Sequence, residues 1–156
     1  MGRPMIGDFS HQDSSFNMDA QVYSKYPVKW QERFAFLDAH GAPGTSTYKE
    51  AFKALPFMQR IKIGSSILAF LFGPIYFFIL GLWRKALVGL ALTVASFVIA
   101  FILYAVLGPE NRSADFISRM LGLAVTLIYA GTANYAYYLK EVKGQDSWNF
   151  FEGLRM

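Results

Sequence analysis

The stretch Ile63–Trp83, with the sequence IGSSILAFLFGPIYFFILGLW, decides the fold of this chain. It contains no charged residue, and Gly73-Pro74 lies near its centre. Proline removes a backbone donor and its ring clashes with the preceding helical turn, so a regular helix is not expected through Pro74. The run divides into two arms, each reaching about half of the roughly 30 Å hydrocarbon core of a bilayer. Two alternatives follow: a kinked helix that crosses the membrane, or a hairpin that enters and leaves on one side.

Two more apolar runs follow, Ala86–Leu107 and Met120–Leu139, and neither contains a charged residue. About 20 apolar residues are enough for a helix to cross a bilayer, so both runs are long enough. The composition agrees, because 54% of the 156 residues are hydrophobic and 17% are aromatic. The sequence therefore predicts an all-α integral membrane protein, with two transmembrane helices after the Gly-Pro-broken first run.

The basic residues around these runs favour the hairpin. If the first run crosses the membrane, the flanking Lys and Arg residues divide equally between the two sides. If the run is re-entrant, only Arg112 and Arg119 face outward, in the loop 108–119. Six basic residues then share the other side: Arg60, Lys62, Arg84, Lys85, Lys140 and Lys143. Because basic loops stay in the cytoplasm, this predicts a bacterial inner-membrane protein with both termini cytoplasmic. The hairpin turn must then be covered by protein, since lipid cannot bond to bare backbone groups.

The rest of the chain divides around this membrane domain, residues 63–139. We predict a mobile N-terminal tail (1–24), a soluble or interfacial helical segment (25–62) and a cytoplasmic amphipathic tail (140–156). In the helical segment, Trp30, Phe34 and Leu37 share one face of a helix that begins at Pro27. In the last segment, Trp148 and Phe151 form an apolar side. These five residues are the candidate interaction surface; the alternative is that the apolar faces pack on each other.

Structural roles are predicted for a second group, which consists of Gly73, Pro74, Tyr76, Trp83 and Asn134. Asn134 is the strongest polar group inside the apolar runs, and a hydrogen bond between helices explains it best. The small and hydroxylated residues that recur every four positions in the second and third runs predict that these two helices pack together.

Chemistry-bearing patterns are scarce in the sequence. The chain has no Cys, and His11 and His40 have no partner at metal-ligand spacing. We therefore predict no catalytic, cofactor or metal site. The net charge of +4 comes from basic residues beside apolar runs, where they orient helices and meet anionic headgroups, so no nucleic-acid partner is expected.

Three segments together carry a resemblance to a known family: KWQERF at Lys29–Phe34, FLFGPIYFF at Phe70–Phe78 and GLWRK at Gly81–Lys85. From Lys29 to Leu92 the chain resembles DUF2628, a family of small bacterial inner-membrane proteins catalogued as a domain of unknown function. The polar lead-in Met1–Ser24 is outside that resemblance. The resemblance implies a bacterial membrane protein and brings no activity or catalytic residues.

The function predicted from these features is non-enzymatic. We expect a membrane-anchored scaffold or regulatory subunit that meets membrane lipids and binds another membrane or cytoplasmic protein through its cytoplasmic face. Two alternatives stay open: an immunity-type protein that recognises a membrane-active bacteriocin through the loop 108–119, and a homo-oligomeric channel or lipid-handling protein.

Overall fold

The computed structural model describes residues 23–154 of the chain. These residues form helices and turns, without a strand among them, so the all-helical prediction is confirmed. The helices in chain order are α1 (Val28–His40), α2 (Ser46–Ala54), α3 (Phe57–Gly64), α4 (Ile67–Phe72), α5 (Pro74–Ile79), α6 (Trp83–Leu107) and α7 (Arg112–Glu141). By length and composition, α6 and α7 are the two helices long and apolar enough to cross a bilayer in this part of the chain.

The first apolar run is broken where the sequence places Gly73-Pro74. Gly73 has φ 49° and ψ −122°, a backbone conformation that residues with a side chain rarely adopt. Pro74 is the first residue of α5, where its missing N–H would have had no helical partner. The run is therefore two six-residue helices joined at Gly73.

Both ends of this run lie beside the C-terminal part of α7. At the entrance, the Asn134 side-chain amide donates a hydrogen bond to the Ile63 carbonyl at 3.0 Å. At the exit, the Lys140 ammonium donates to the carbonyls of Leu80 and Gly81 at 3.2 and 3.1 Å. At the turn, Gly73 is buried against the Tyr129 ring, while Phe72 and Ile75 are exposed. From Tyr129 to Lys140, α7 rises about 16 Å, which is the depth of the fold-back at the exit.

Close contact between α6 and α7 depends on Tyr129. Its hydroxyl lies 3.2 Å from the Thr93 hydroxyl, and a Cβ at Gly89 would lie 2.5 Å from the same oxygen. The predicted packing of small residues therefore holds at Gly89 and Thr93. The Asn134 side chain also makes the predicted hydrogen bond between helices, and its partner is Ile63 of α3.

The connection between α6 and α7 is shorter than predicted. The expected loop 108–119 shrinks to residues 108–111, because α7 already begins at Arg112. The Asn111 side chain accepts hydrogen bonds from the backbone N–H groups of Ser113 and Ala114 and so caps the helix. The first turns of α7 contain charged residues, so a prediction based on apolar runs places the start of this helix too late.

At both termini, the structure differs from the predicted tails. Most of the predicted mobile tail lies outside the described residues, but Tyr23 is buried and belongs to the folded part. Beyond α7, residues 142–154, most of the predicted amphipathic tail, form turns and irregular backbone. Phe150, rather than Trp148 or Phe151, is the aromatic residue of this segment that enters the core.

We expect Gly89→Ala to destabilise the protein by roughly 1–3 kcal/mol, because the added methyl group overlaps the buried Tyr129 ring. Gly122→Ala is the matched control, since a Cβ there meets nothing within 4 Å and Ala favours a helix by up to about 1 kcal/mol. Thermal unfolding in mild detergent measures both. Equal effects of the two substitutions would contradict the packing described here.

Candidate functional site

Most polar segments of the described chain lie at one end of the molecule. We call this end the cap; it consists of residues 23–64 and 140–154, which surround the entrance and exit of the broken run. Most of the charged side chains that make long-range hydrogen bonds lie here, and so do all five residues of the predicted interaction surface.

Three of those five residues are interior. Trp30, Phe34 and Leu37 are 4%, 0% and 2% exposed. The Trp30 ring centre lies 4.5 Å from that of Tyr137 on α7, and Phe34 contacts Tyr138. The assignment of these three to an exposed interaction surface was wrong, because the last turns of α7 supply an aromatic partner that covers the apolar face of α1. The alternative considered from the sequence, that these faces pack inside the chain, is the one the structure shows.

Asp38 joins the two ends of the described chain. Its carboxylate accepts hydrogen bonds from the Tyr138 hydroxyl at 2.6 Å, the Lys143 ammonium at 2.7 Å and the Tyr23 hydroxyl at 2.9 Å. The bonds from Lys143 and then Tyr138 hold the pKa of Asp38 below its ordinary value. Burial, followed by the bond to Asp38, raises the pKa of Tyr23. The carboxylate thus fastens α1 to α7 and to the segment that follows it.

A buried ion pair fastens the C-terminal segment. The Lys85 side chain is fully buried at the start of α6, and its ammonium lies 2.9 Å from Glu152 Oε2. The Ser147 hydroxyl donates to the other oxygen of that carboxylate. Next to the pair, Phe150 packs against Phe77 and Tyr129 with ring centres 5.5 and 5.2 Å apart. The segment is therefore part of the core and not a free tail.

An aromatic and cationic patch remains on the surface where the start of α6 meets the C-terminal part of the cap. Trp83 and Trp148 pack edge to face with their ring centres 5.4 Å apart. The Arg84 guanidinium lies 5.4 and 5.9 Å from these two rings and donates to the Asp146 carbonyl. Trp83, Trp148 and the neighbouring Phe151 are 47%, 53% and 40% exposed. We call Trp83, Arg84, Trp148 and Phe151 the aromatic patch.

The residues predicted to have structural roles lie in the broken run or in contact with it. Gly73 and Pro74 form the turn of the broken run, and Tyr76 is buried in its second helix. Asn134 is buried and holds the first residue of the run. Trp83, predicted as a packing residue, is half exposed and belongs to the aromatic patch.

Sequence reasoning missed Asp38, Lys85, Phe150 and Glu152. Lys85 looked like an orienting charge beside Arg84, and its partner Glu152 is distant along the chain. Two of the partners of Asp38, Tyr138 and Lys143, are also distant along the chain. Neither the Asp38 contacts nor the Lys85–Glu152 pair produces a pattern among neighbouring residues, so the sequence alone offered no signal for them. Within residues 23–154, no group of three or more His, Cys, Asp or Glu side chains is placed to hold a metal ion.

Comparison with known proteins gives the family. A family model described as a protein of unknown function, DUF2628, matches residues 13–143. The chain belongs to the DUF2628 family. It is 40% identical over 125 residues to the uncharacterized protein YigF of Escherichia coli (strain K12), covering 78% of this chain and 89% of that protein. The uncharacterized YigF protein of Salmonella typhimurium is 38% identical over 125 residues, which again cover 78% of this chain and 89% of that protein. No solved structure matches the chain.

The family resemblance predicted from Lys29 to Leu92 is thereby confirmed, and it extends further than expected. It begins at residue 13, inside the polar lead-in that was outside the predicted resemblance, and ends at residue 143, just after α7. The chain is a small bacterial protein of this family.

We expect the contribution of Asp38 to stability to depend on pH. Because the pKa of Asp38 is depressed on folding, its carboxylate stabilises the protein above the unfolded value of about 3.9, and this is lost as pH falls through the folded value. The difference in Tm between the native chain and Asp38→Asn should be constant from about pH 8 to pH 5 and shrink below about pH 4. A difference of the same size at pH 3 and pH 7 would show that the carboxylate charge is not what matters.

We expect Glu152→Gln to lower the free energy of unfolding by roughly 3 kcal/mol, because it leaves the Lys85 ammonium buried without its counter-ion. Adding Lys85→Met to Glu152→Gln should restore part of the loss, since the buried charge is gone. Asp115→Asn, which breaks the exposed pair with Arg119, is the control and should cost less than about 1 kcal/mol. If Glu152→Gln unfolds like this control in detergent, the ion pair does not secure the C-terminal segment.

Proposed function

We propose that this chain is an integral protein of the bacterial inner membrane that acts without catalysis, as an anchored scaffold or regulatory subunit. Its cap faces the cytoplasm and binds another protein through the aromatic patch. The observation that carries the proposal is the division of the molecule into two long helices left uncovered by protein and a firmly packed polar cap at one end.

Exposure of the long helices supports membrane insertion. Only 11% of the most apolar stretch of α6 is buried, and 22% of that of α7. Phe97, Phe101 and Val106 on α6 are each at least 70% exposed. Contiguous apolar surface of this extent is costly in water, and a bilayer removes that cost.

Charge placement supports the orientation. The hairpin brings Arg60, Lys62, Arg84, Lys85, Lys140 and Lys143 to the cap end of the molecule. Arg112 and Arg119 remain at the other end, and Asp115 partly neutralises Arg119. By the positive-inside rule, the cap is cytoplasmic. The first run is then a re-entrant hairpin whose turn is covered by α7, as hydrocarbon requires.

The aromatic patch supports protein binding. Trp and Arg side chains contribute the largest share of binding energy at protein interfaces, and here they are partly exposed and held against one another. Because the Asp38 and Lys85 contacts hold the surrounding segments, little ordering is needed when a partner binds. The short outer connection 108–111 offers less surface to a bacteriocin than the loop expected from the sequence, which makes the immunity alternative weaker.

The test is photo-crosslinking in living bacteria, with Trp148 replaced by benzoylphenylalanine in the full chain. We expect an adduct whose mass exceeds that of the chain by a second, different protein. Phe97, which is similarly exposed but lies on the apolar side of α6, is the matched position and should crosslink to lipid alone. An adduct of twice the chain mass at position 148 would show that the chain binds a second copy of itself, which would contradict the scaffold role. The absence of any protein adduct at positions 148 and 151 would contradict the proposal.

A further inference from the structure

A cavity of about 160 Å³ opens where the cap meets the re-entrant hairpin. It lies among α1, α3, the start of α4 and Tyr76 of α5. Its wall includes three cationic side chains, Lys29, Arg33 and Lys62, together with Ser65. The cavity lies apart from the aromatic patch and shares no residue with it.

The three cations form no ion pair in the described part of the chain. None of the ion pairs formed among residues 23–154 includes Lys29, Arg33 or Lys62. Arg33 is nevertheless held in place, because its Nε–H donates to the Lys62 carbonyl at 2.7 Å and its guanidinium lies 4.7 Å from the Trp30 ring centre. A guanidinium has five N–H donors, so the others are left for a ligand with several acceptor oxygens. Burial lowers the pKa of Arg33, but a guanidinium keeps its charge at neutral pH.

Another part of the cavity wall is apolar. It contains Ile67 and Leu68 on the outer side of α4, which are 63% and 40% exposed. Close by, Phe57 and Met58 of α3 are 72% and 67% exposed beside the basic Arg60 and Lys62. A helix with exposed apolar and basic side chains suits the headgroup region of a membrane. The cavity therefore has a cationic side toward the cap and an apolar side toward the hairpin.

The volume limits what can bind. About 150 Å³ is enough for a molecule the size of benzene, so the cavity accommodates a phosphate with its immediate substituents and no long chain. Any acyl chain must lie outside, along Ile67 and Leu68. A ligand that is anionic at one end and apolar at the other matches both walls.

We propose that this cavity binds the phosphate of an anionic phospholipid headgroup, with Lys29, Arg33 and Lys62 around the phosphate and the acyl chains along α4. This inference rests on the proposed membrane insertion. It gives the hairpin entrance a lipid ligand that would hold the cap against the membrane surface.

The test is a lipid titration of the full-length protein in mild detergent, followed by native mass spectrometry. The probes are phosphatidylglycerol, phosphatidylcholine and inorganic phosphate. We expect one phosphatidylglycerol molecule to bind saturably, and phosphatidylcholine to bind at least about tenfold more weakly. At about fivefold per basic residue, the double variant K29Q/K62Q should bind phosphatidylglycerol roughly 30-fold more weakly. Neither ammonium is used in an ion pair of the described residues, so the fold should be kept.

The double variant K25Q/K53Q is the matched control, because it removes the same charge from the cap outside the cavity and should bind as the native chain does. Tyr76→Phe removes one hydroxyl group from the cavity wall without changing the charge, and should weaken binding severalfold. Equal affinity for phosphatidylcholine, or unchanged affinity in K29Q/K62Q, would overturn the proposal. Inorganic phosphate that competes at the same concentration as the lipid would also overturn it, in favour of a free phosphate ligand.

Failure of the proposed membrane insertion is recognised separately. If alkaline carbonate releases the native protein from bacterial membranes, insertion is wrong, whatever the titration shows. If the protein resists carbonate but the titration fails, only the lipid site is wrong.

Discussion

The interaction on which the rest of the structure depends is the seating of the broken run against α7. The helices that lead into and out of the run leave carbonyl groups free at their ends, and in the proposed membrane setting hydrocarbon would offer these groups no partner. Asn134 supplies a donor at the entrance, and Lys140 supplies donors at the exit. Because both donors lie on one part of one helix, the run must leave at the end where it entered. This constraint explains why the single strong polar residue of the third apolar run is placed at Asn134.

The one-sided cap follows from this return. With the entrance and exit at one end, α1 and α2 bury their aromatic faces against the last turns of α7, and the segment after α7 packs Phe150 on Phe77 and Tyr129. Tyr129 lies at the turn, packs closely against Gly89 of α6 and contacts Phe150 of the C-terminal segment. Lys85 can be buried because Glu152 reaches it from that segment. In the proposed setting, the cap carries both surfaces toward the cytoplasm, the aromatic patch for a protein and the basic cavity for a lipid headgroup.

The sequence was informative where local chemistry decides the structure. Gly73-Pro74 predicted the break, two long charge-free runs predicted α6 and most of α7, and short segments around Trp30 and Trp83 predicted the family. It failed where a partner distant in sequence decides. Periodicity showed that Trp30, Phe34 and Leu37 share a face, but could not show that tyrosines of α7 cover it. The spacing of Trp148 and Phe151 indicated an apolar side, whereas Phe150 between them enters the core, and nothing near Lys85 indicated Glu152.

The most direct measurement uses the absence of cysteine from the chain. Single Cys residues at Ser24, Asn111 and Ser147 are treated with a membrane-impermeant thiol reagent on intact cells, and again after permeabilisation. If the first run is re-entrant and the cap is cytoplasmic, only Asn111 reacts in intact cells, and the other two positions react once the membrane is opened. Labelling of Ser147 with Ser24 and Asn111 protected would mean three crossings and would contradict the hairpin. Labelling of Ser24 and Ser147 with Asn111 protected would keep the hairpin but place the cap outside the cytoplasm.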